Sequence, residues 1–191
     1  MRRLFYLLAG ASLVLLLSSC MSSPPEKSRT IQPTDSIVVG YVEPYTLTVL
    51  GGVDFKQLSP PPMDGKDSWG LGTDDKYRGY FWATLPPGKY RLSRLYFVRA
   101  FDRLHLAMQV NIPDDQPSPI EVELPDHRTL VFLGAFKVVP QLGSVRIEHS
   151  DKLTEQAVWS WLANNKNAAE VKQDVMQRLN QLGGPIPVEG D

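Results

Sequence analysis

Between Ser36 and Glu148 the chain is built from short segments of alternating apolar and polar residues, with no helix-length stretch among them. This pattern constrains the fold more than any other feature. A period of two sends successive side chains to opposite faces of an extended strand. Leu104, Leu106, Met108, Val110 and Ile112 keep that period, and so do Ile120, Val122 and Leu124. Ser36–Val42 is rich in β-branched residues, while Tyr45–Leu50 sets Tyr45, Leu47 and Val49 against Thr46 and Thr48. Gly79–Leu85, Lys89–Phe101, Thr129–Val139 and the shorter Ser144–Glu148 complete the series. Roughly eight short strands with turns between them describe a sandwich or a barrel. With no helical crossover to return the chain, the pairing is expected to be antiparallel.

One turn is well marked. Leu85-Pro86-Pro87-Gly88-Lys89-Tyr90 sets two prolines and a glycine between strand-like segments. Proline pre-sets φ and glycine accepts positive φ, so the chain can change direction there. The stretch resembles the turn of small transthyretin-like and carboxypeptidase-regulatory-like sandwiches. The resemblance covers the turn alone, and it implies a fold without an activity. The expected domain, residues 35–149, is therefore a mainly β, antiparallel sandwich of transthyretin or immunoglobulin type. The aromatics Tyr77, Tyr80, Phe81, Trp82, Tyr96, Phe97 and Phe101 are read as core on one face and a half-buried rim on the other.

After Ser150 the period changes. Leu153, Ala157 and Trp161, with Val158 and Leu162, follow helical spacing. Ser150 and Asp151 offer caps. A break falls at Asn164-Asn165-Lys166, and a second helix is expected from Asn167, with Val171, Val175, Leu179 and Leu182 on one face. Gly183-Gly184-Pro185 stops it. Two short helices thus occupy residues 150–183, and 184–191 form a tail. Trp159 and Trp161 lie about 200° apart on a helix, so one is expected to pack inward and the other to stay available.

The beginning of the chain carries a different message. Met1-Arg2-Arg3 is followed by an apolar run from Leu4 to Leu17 and then Ser18-Ser19-Cys20. A charged end, a short apolar stretch and small residues before a cut make a secretory signal over residues 1–19. The run is well short of the roughly 20 residues that span a bilayer. Leu17-Ser18-Ser19-Cys20 resembles the lipobox of bacterial lipoproteins. That resemblance implies cleavage between Ser19 and Cys20, and a diacylglycerol on the Cys20 thiol. It also implies acylation of the new amino group, so that several acyl chains hold the protein on a membrane. Met21 follows where Asp favours inner-membrane retention in enterobacterial lipoproteins, which points to the periplasmic face of the outer membrane. Residues 20–34 are Ser-, Pro- and charge-rich and read as a flexible tether.

Chemistry is sparse in what remains. Cys20 is the single cysteine, so lipidation leaves no thiol for a disulfide, a nucleophile or a metal. The 20 basic residues balance 21 acidic ones, which excludes the basic excess of a nucleic-acid partner. His105, His127 and His149 show no metal-ligand spacing, and no Gly-x-Ser-x-Gly elbow occurs. No catalytic residue, metal or cofactor is assigned. The segment from Lys56 to Gly79 looks least regular, and Asp64, Asp67, Trp69, Asp74 and Asp75 make it a candidate binding loop beside the plainer reading of a solvated one. The four aspartates do not match an EF-hand. The expected function is that of a non-catalytic envelope lipoprotein binding a protein or a glycan. The alternative is a periplasmic hydrolase, or an accessory domain of an envelope enzyme, whose residues assemble only in space.

Overall fold

The computed structural model describes residues 30–45, 48–61, 68–73, 79–99, 106–141 and 144–187. The chain divides into Met1–Thr30 and Ile31–Asp191, and every element below lies in the second unit. These elements are mainly strands, in two sheets, followed by two short C-terminal helices. In chain order the strands are β1 (Ser36–Val42), β2 (Thr48–Ser59), β3 (Ser68–Thr73), β4 (Tyr80–Leu85), β5 (Gly88–Arg99), β6 (Leu106–Asn111), β7 (Glu121–Leu124), β8 (Leu130–Gln141) and β9 (Ser144–His149). Helices α1 (Glu155–Asn164) and α2 (Lys172–Gln181) are joined by a 3-10 segment, Lys166–Val171.

One sheet runs β3-β4-β1-β8-β9. The other centres on β5, with β2 on one side and both β6 and β7 on the other. β3 belongs to both: Ser68–Leu71 pair with β2, and Gly72 and Thr73 pair with β4. The hydrogen-bonded path from β6 to β9 is thereby continuous, although the sheet has two distinct faces to fill.

β1 explains the layering. All seven of its residues are buried, which a strand achieves only when both its faces are covered. Val38 and Val42 join Phe81 and Phe136 in a cluster completed by Phe55 and Leu92 of the other sheet. Ile37, Val39 and Tyr41 point the other way and pack with Trp161, Val175 and Leu179 of the helices. Gly40 sits opposite Phe81 in the ladder, and a Cβ there would lie 2.4 Å from the Phe81 ring. The glycine makes room for the aromatic side chain that fills the space between the sheets.

The Pro86-Pro87-Gly88 turn is a corner rather than a hairpin. β4 and β5 do not pair with each other; the chain leaves one sheet there and enters the other. Gly88 adopts φ +150°, and a Cβ on it would stand 2.4 Å from the Ser59 carbonyl oxygen. Tyr90, fully buried just beyond, donates its phenolic O–H back to the Pro86 carbonyl at 3.0 Å.

Several expectations are corrected. The strand pairing is not wholly antiparallel, because β1 and β8 run parallel. A parallel pair needs a long crossover, and here strands β2 to β7 supply it where a helix was looked for. The segment after Lys56 contains a strand, β3, and β2 extends through it to Ser59. Helix α1 is capped by Thr154, whose hydroxyl accepts from the Ala157 N–H at 3.2 Å, and not by Ser150 or Asp151. Asn165, not Asn167, caps the 3-10 segment, accepting from the Asn167 N–H at 2.8 Å. Trp159 and Trp161 are both fully buried. Trp161 stacks on Tyr80 at 4.8 Å, and the Trp159 indole N–H donates to Glu155 at 3.0 Å. With a sheet on one side and α2 beside it, α1 has no second apolar face left for a partner. No helix among the described residues is long and apolar enough to cross a membrane.

Candidate functional site

Two strands end the hydrogen-bonded path, β6 at one end and β9 at the other. Between them opens a cleft of about 330 Å³, whose walls are β6 with the connection that follows it and Val145–Ile147 of β9. Val110, Ile112, Val145 and Ile147 give its lining an apolar part, Asn111, Gln116, Ser118 and Arg146 a polar part of similar extent, and Val145 is 38% exposed. Among the described residues β9 has one strand neighbour, β8.

The wall made by residues 113–119 is held rigidly. Pro113, Pro117 and Pro119 restrict its backbone. Beneath it lies Arg91 of β5, buried, with its guanidinium donating to the carbonyl oxygens of Pro113 and Asp114 at 2.9 Å and of Gln116 at 2.7 Å. A planar fork of donors suits three converging carbonyls better than an ammonium would. The Asp114 carboxylate accepts from Lys56 Nζ at 2.5 Å. That hydrogen bond, with the charges of Lys56 and Arg91, holds the Asp114 carboxyl below its ordinary range. Ser118 closes the connection with its hydroxyl, which lies 3.0 Å from the Leu92 carbonyl oxygen and 2.8 Å from that of Ile120.

The β8–β9 ladder fixes which backbone groups face the cleft. The Phe136 carbonyl accepts from the Glu43 N–H at 2.7 Å, so it points towards β1 and away from β9. Pro140, opposite Val145, has no N–H to give. Hydrogen-bonded and non-hydrogen-bonded pairs alternate in an antiparallel ladder. The pairs Lys137–Glu148 and Val139–Arg146 therefore carry the bonds to β8. The backbone groups of Val145, Ile147 and His149 point outward, along the edge.

A second polar cluster lies on the outer face of the β5 sheet. The Tyr96 hydroxyl donates to Asp54 at 2.7 Å, and Arg94 donates to the Tyr96 oxygen at 2.6 Å while its guanidinium carbon stands 5.5 Å from the ring centroid. Desolvation raises the Tyr96 pKa, and the hydrogen bond to Asp54 adds to it. These groups satisfy one another, which is the arrangement of a closed surface network rather than of a waiting site.

Of the residues singled out from the sequence, Trp69, His127 and His149 are among those described. Cys20 and Ser19 lie outside the described residues, as do Asp64, Asp67, Asp74, Asp75 and His105. Trp69 is on β3, half-buried against the core, with its indole N–H 3.3 Å from Gln57 Oε1, and so is not an exposed loop residue. His127 is exposed beside Asp126, and His149 meets the Phe136 ring edge-on at 5.9 Å. Among the described residues no three His, Cys, Asp or Glu side chains stand close enough together to hold a metal. The cleft and Arg91 were not anticipated from the sequence. The signal available was the run Pro113, Pro117, Pro119 in a connection too long for a tight hairpin. Comparison with known proteins returns no match among family models, curated proteins or solved structures.

Proposed function

We propose that this chain is an envelope lipoprotein, held by lipidated Cys20 at the periplasmic face of the outer membrane, and that its β-domain acts there by binding a protein segment. The anchor rests on the lipobox-like Leu17-Ser18-Ser19-Cys20 and the short apolar run before it. In this reading the two sheets, sharing one apolar interior, make a two-layer sandwich of the transthyretin or immunoglobulin kind, with the helices as a third layer. The observation that carries the binding role is the cleft beside β9. An open strand edge with outward backbone groups and an adjoining groove of mixed apolar and polar lining is what an extended peptide needs to add itself to a sheet. The cleft gives the added strand's side chains a wall to pack on, and Arg91 braces that wall.

The test is a photo-cross-linking residue at Val145 in cells that express the full chain. A discrete protein adduct is expected from Val145, and none from Leu58, which is equally exposed but outside the cleft. The same substitution combined with Cys20→Ser, which removes the anchor, is expected to lose the adduct. The absence of an adduct at Val145 contradicts the binding role; an undiminished adduct without Cys20 contradicts the need for anchoring.

A further inference from the structure

We infer that the segment which pairs with β9 is β9 of a second copy, joined antiparallel about a two-fold axis at Ile147. This rests on the binding role proposed above and names its partner. The sequence of the edge is Ser144-Val145-Arg146-Ile147-Glu148-His149. Val145, Ile147 and His149 direct their backbone groups outward, as derived from the β8 ladder. With the axis at Ile147, those three residues meet Ile147, His149 and Val145 of the copy in hydrogen-bonded pairs, and every outward group finds a partner.

Charge selects this register. Arg146 and Glu148 lie on the face opposite Ile147, and the axis at Ile147 sets each Arg146 against the copy's Glu148. Both are non-hydrogen-bonded pairs, in which side chains approach most closely. A slip by one residue turns the apolar face outward. An axis at Arg146 or Glu148 keeps the faces but sets like charges against each other. Edge strands are commonly guarded by charge of one sign, which repels a copy of itself. This edge carries one charge of each sign, two residues apart on the same face. That is the spacing at which an antiparallel copy is attracted. Within one chain Glu148 already meets Arg146 and lies 3.5 Å from Lys137, so both charged groups sit over the strand's outer face, where the copy's side chains arrive.

Sedimentation equilibrium of the full-length lipidated protein in density-matched detergent tests the pairing. The wild-type chain is expected to dimerise. Arg146→Glu leaves two acidic residues on the edge and Glu148→Arg leaves two basic ones. Each variant alone is expected to raise the dimer Kd by on the order of tenfold or more. Mixed in equal amounts, the two variants are expected to form a heterodimer, because every cross-strand pair is then again of opposite sign. Arg146 is exposed and Glu148 half-buried, and an unchanged circular dichroism spectrum confirms that each variant is folded. A monomeric wild type, variants that dimerise as well as wild type, or a mixture that stays monomeric would each overturn the inference. The cross-linking result separates this from the wider proposal: an adduct of twice the chain mass is self-pairing, and any other discrete mass retains a protein partner while rejecting the copy.

Discussion

Arg91 is buried on β5, away from any solvent that could hydrate it, and its fork is committed to the carbonyls of Pro113, Asp114 and Gln116. Replacing it with Met keeps the apolar stem and removes the donors. The carbonyls lie in an exposed connection and regain water, so the expected cost is about 1–3 kcal/mol, read as a lower urea midpoint at unchanged slope. The cleft wall should loosen with it. A variant as stable as wild type would mean that the prolines alone hold the wall. At Tyr96 the sign of the effect is also set. Its pKa is raised above 10.0, chiefly by desolvation and next by Asp54, so its contribution to stability is whole below that pH and is lost as pH climbs through the raised value. Asp54→Asn removes the carboxylate that helps raise it and leaves desolvation opposed by Arg94, which lowers it. An ultraviolet titration should show this phenol moving down from its raised value; no movement would mean that Asp54 does not contribute to the shift.

At the scale of elements, the period-two segments were legible because packing enforces them. β1 has the bounds Ser36–Val42 that its β-branched run suggests, and β5, β6, β7 and β8 lie within a few residues of theirs. β3 was not legible: Ser-Trp-Gly-Leu-Gly-Thr has two glycines and little β-branching, and it exists because β2 and β4 offer it partners on both sides. The helices were visible from their spacing, but their caps were not, since Thr154 and Asn165 compete with equally suitable neighbours. Burial of both tryptophans depends on α2 and on Tyr80, which no local pattern reveals. Trp161→Ala is expected to cost about 3–5 kcal/mol, the range for truncating a large buried aromatic. Loss of the Tyr80 stack should appear as a change in near-ultraviolet circular dichroism. A change below about 1 kcal/mol would mean that the helices contribute little to the β-domain.

For the whole molecule, the least legible features are the ones the binding role uses. The parallel pairing of β1 with β8 depends on how strands β2 to β7 return the chain, and that pairing leaves β9 as the last strand of its sheet. An edge is a property of topology, so the candidate cleft had no sequence signature beyond its prolines. The aspartate-rich segment attracted notice by composition, yet Trp69, the described one among its candidate residues, belongs to a strand. Self-pairing at β9 also has a consequence for an anchored protein. Two lipidated chains joined through their sheets would hold a membrane with twice the acyl chains, and each additional chain multiplies the anchor's strength.

Amide hydrogen exchange along β9 distinguishes a paired edge from a free one, comparing the protein in envelope membranes with the same protein diluted in detergent. The amides of Val145, Ile147 and His149 point outward from β8, whereas those of Arg146 and Glu148 are already bonded within the sheet. If β9 is a pairing edge, the three outward amides should exchange slower in the membrane by about a factor of ten or more, with Arg146 and Glu148 little changed. Equally fast exchange of Val145, Ile147 and His149 in both states would contradict it.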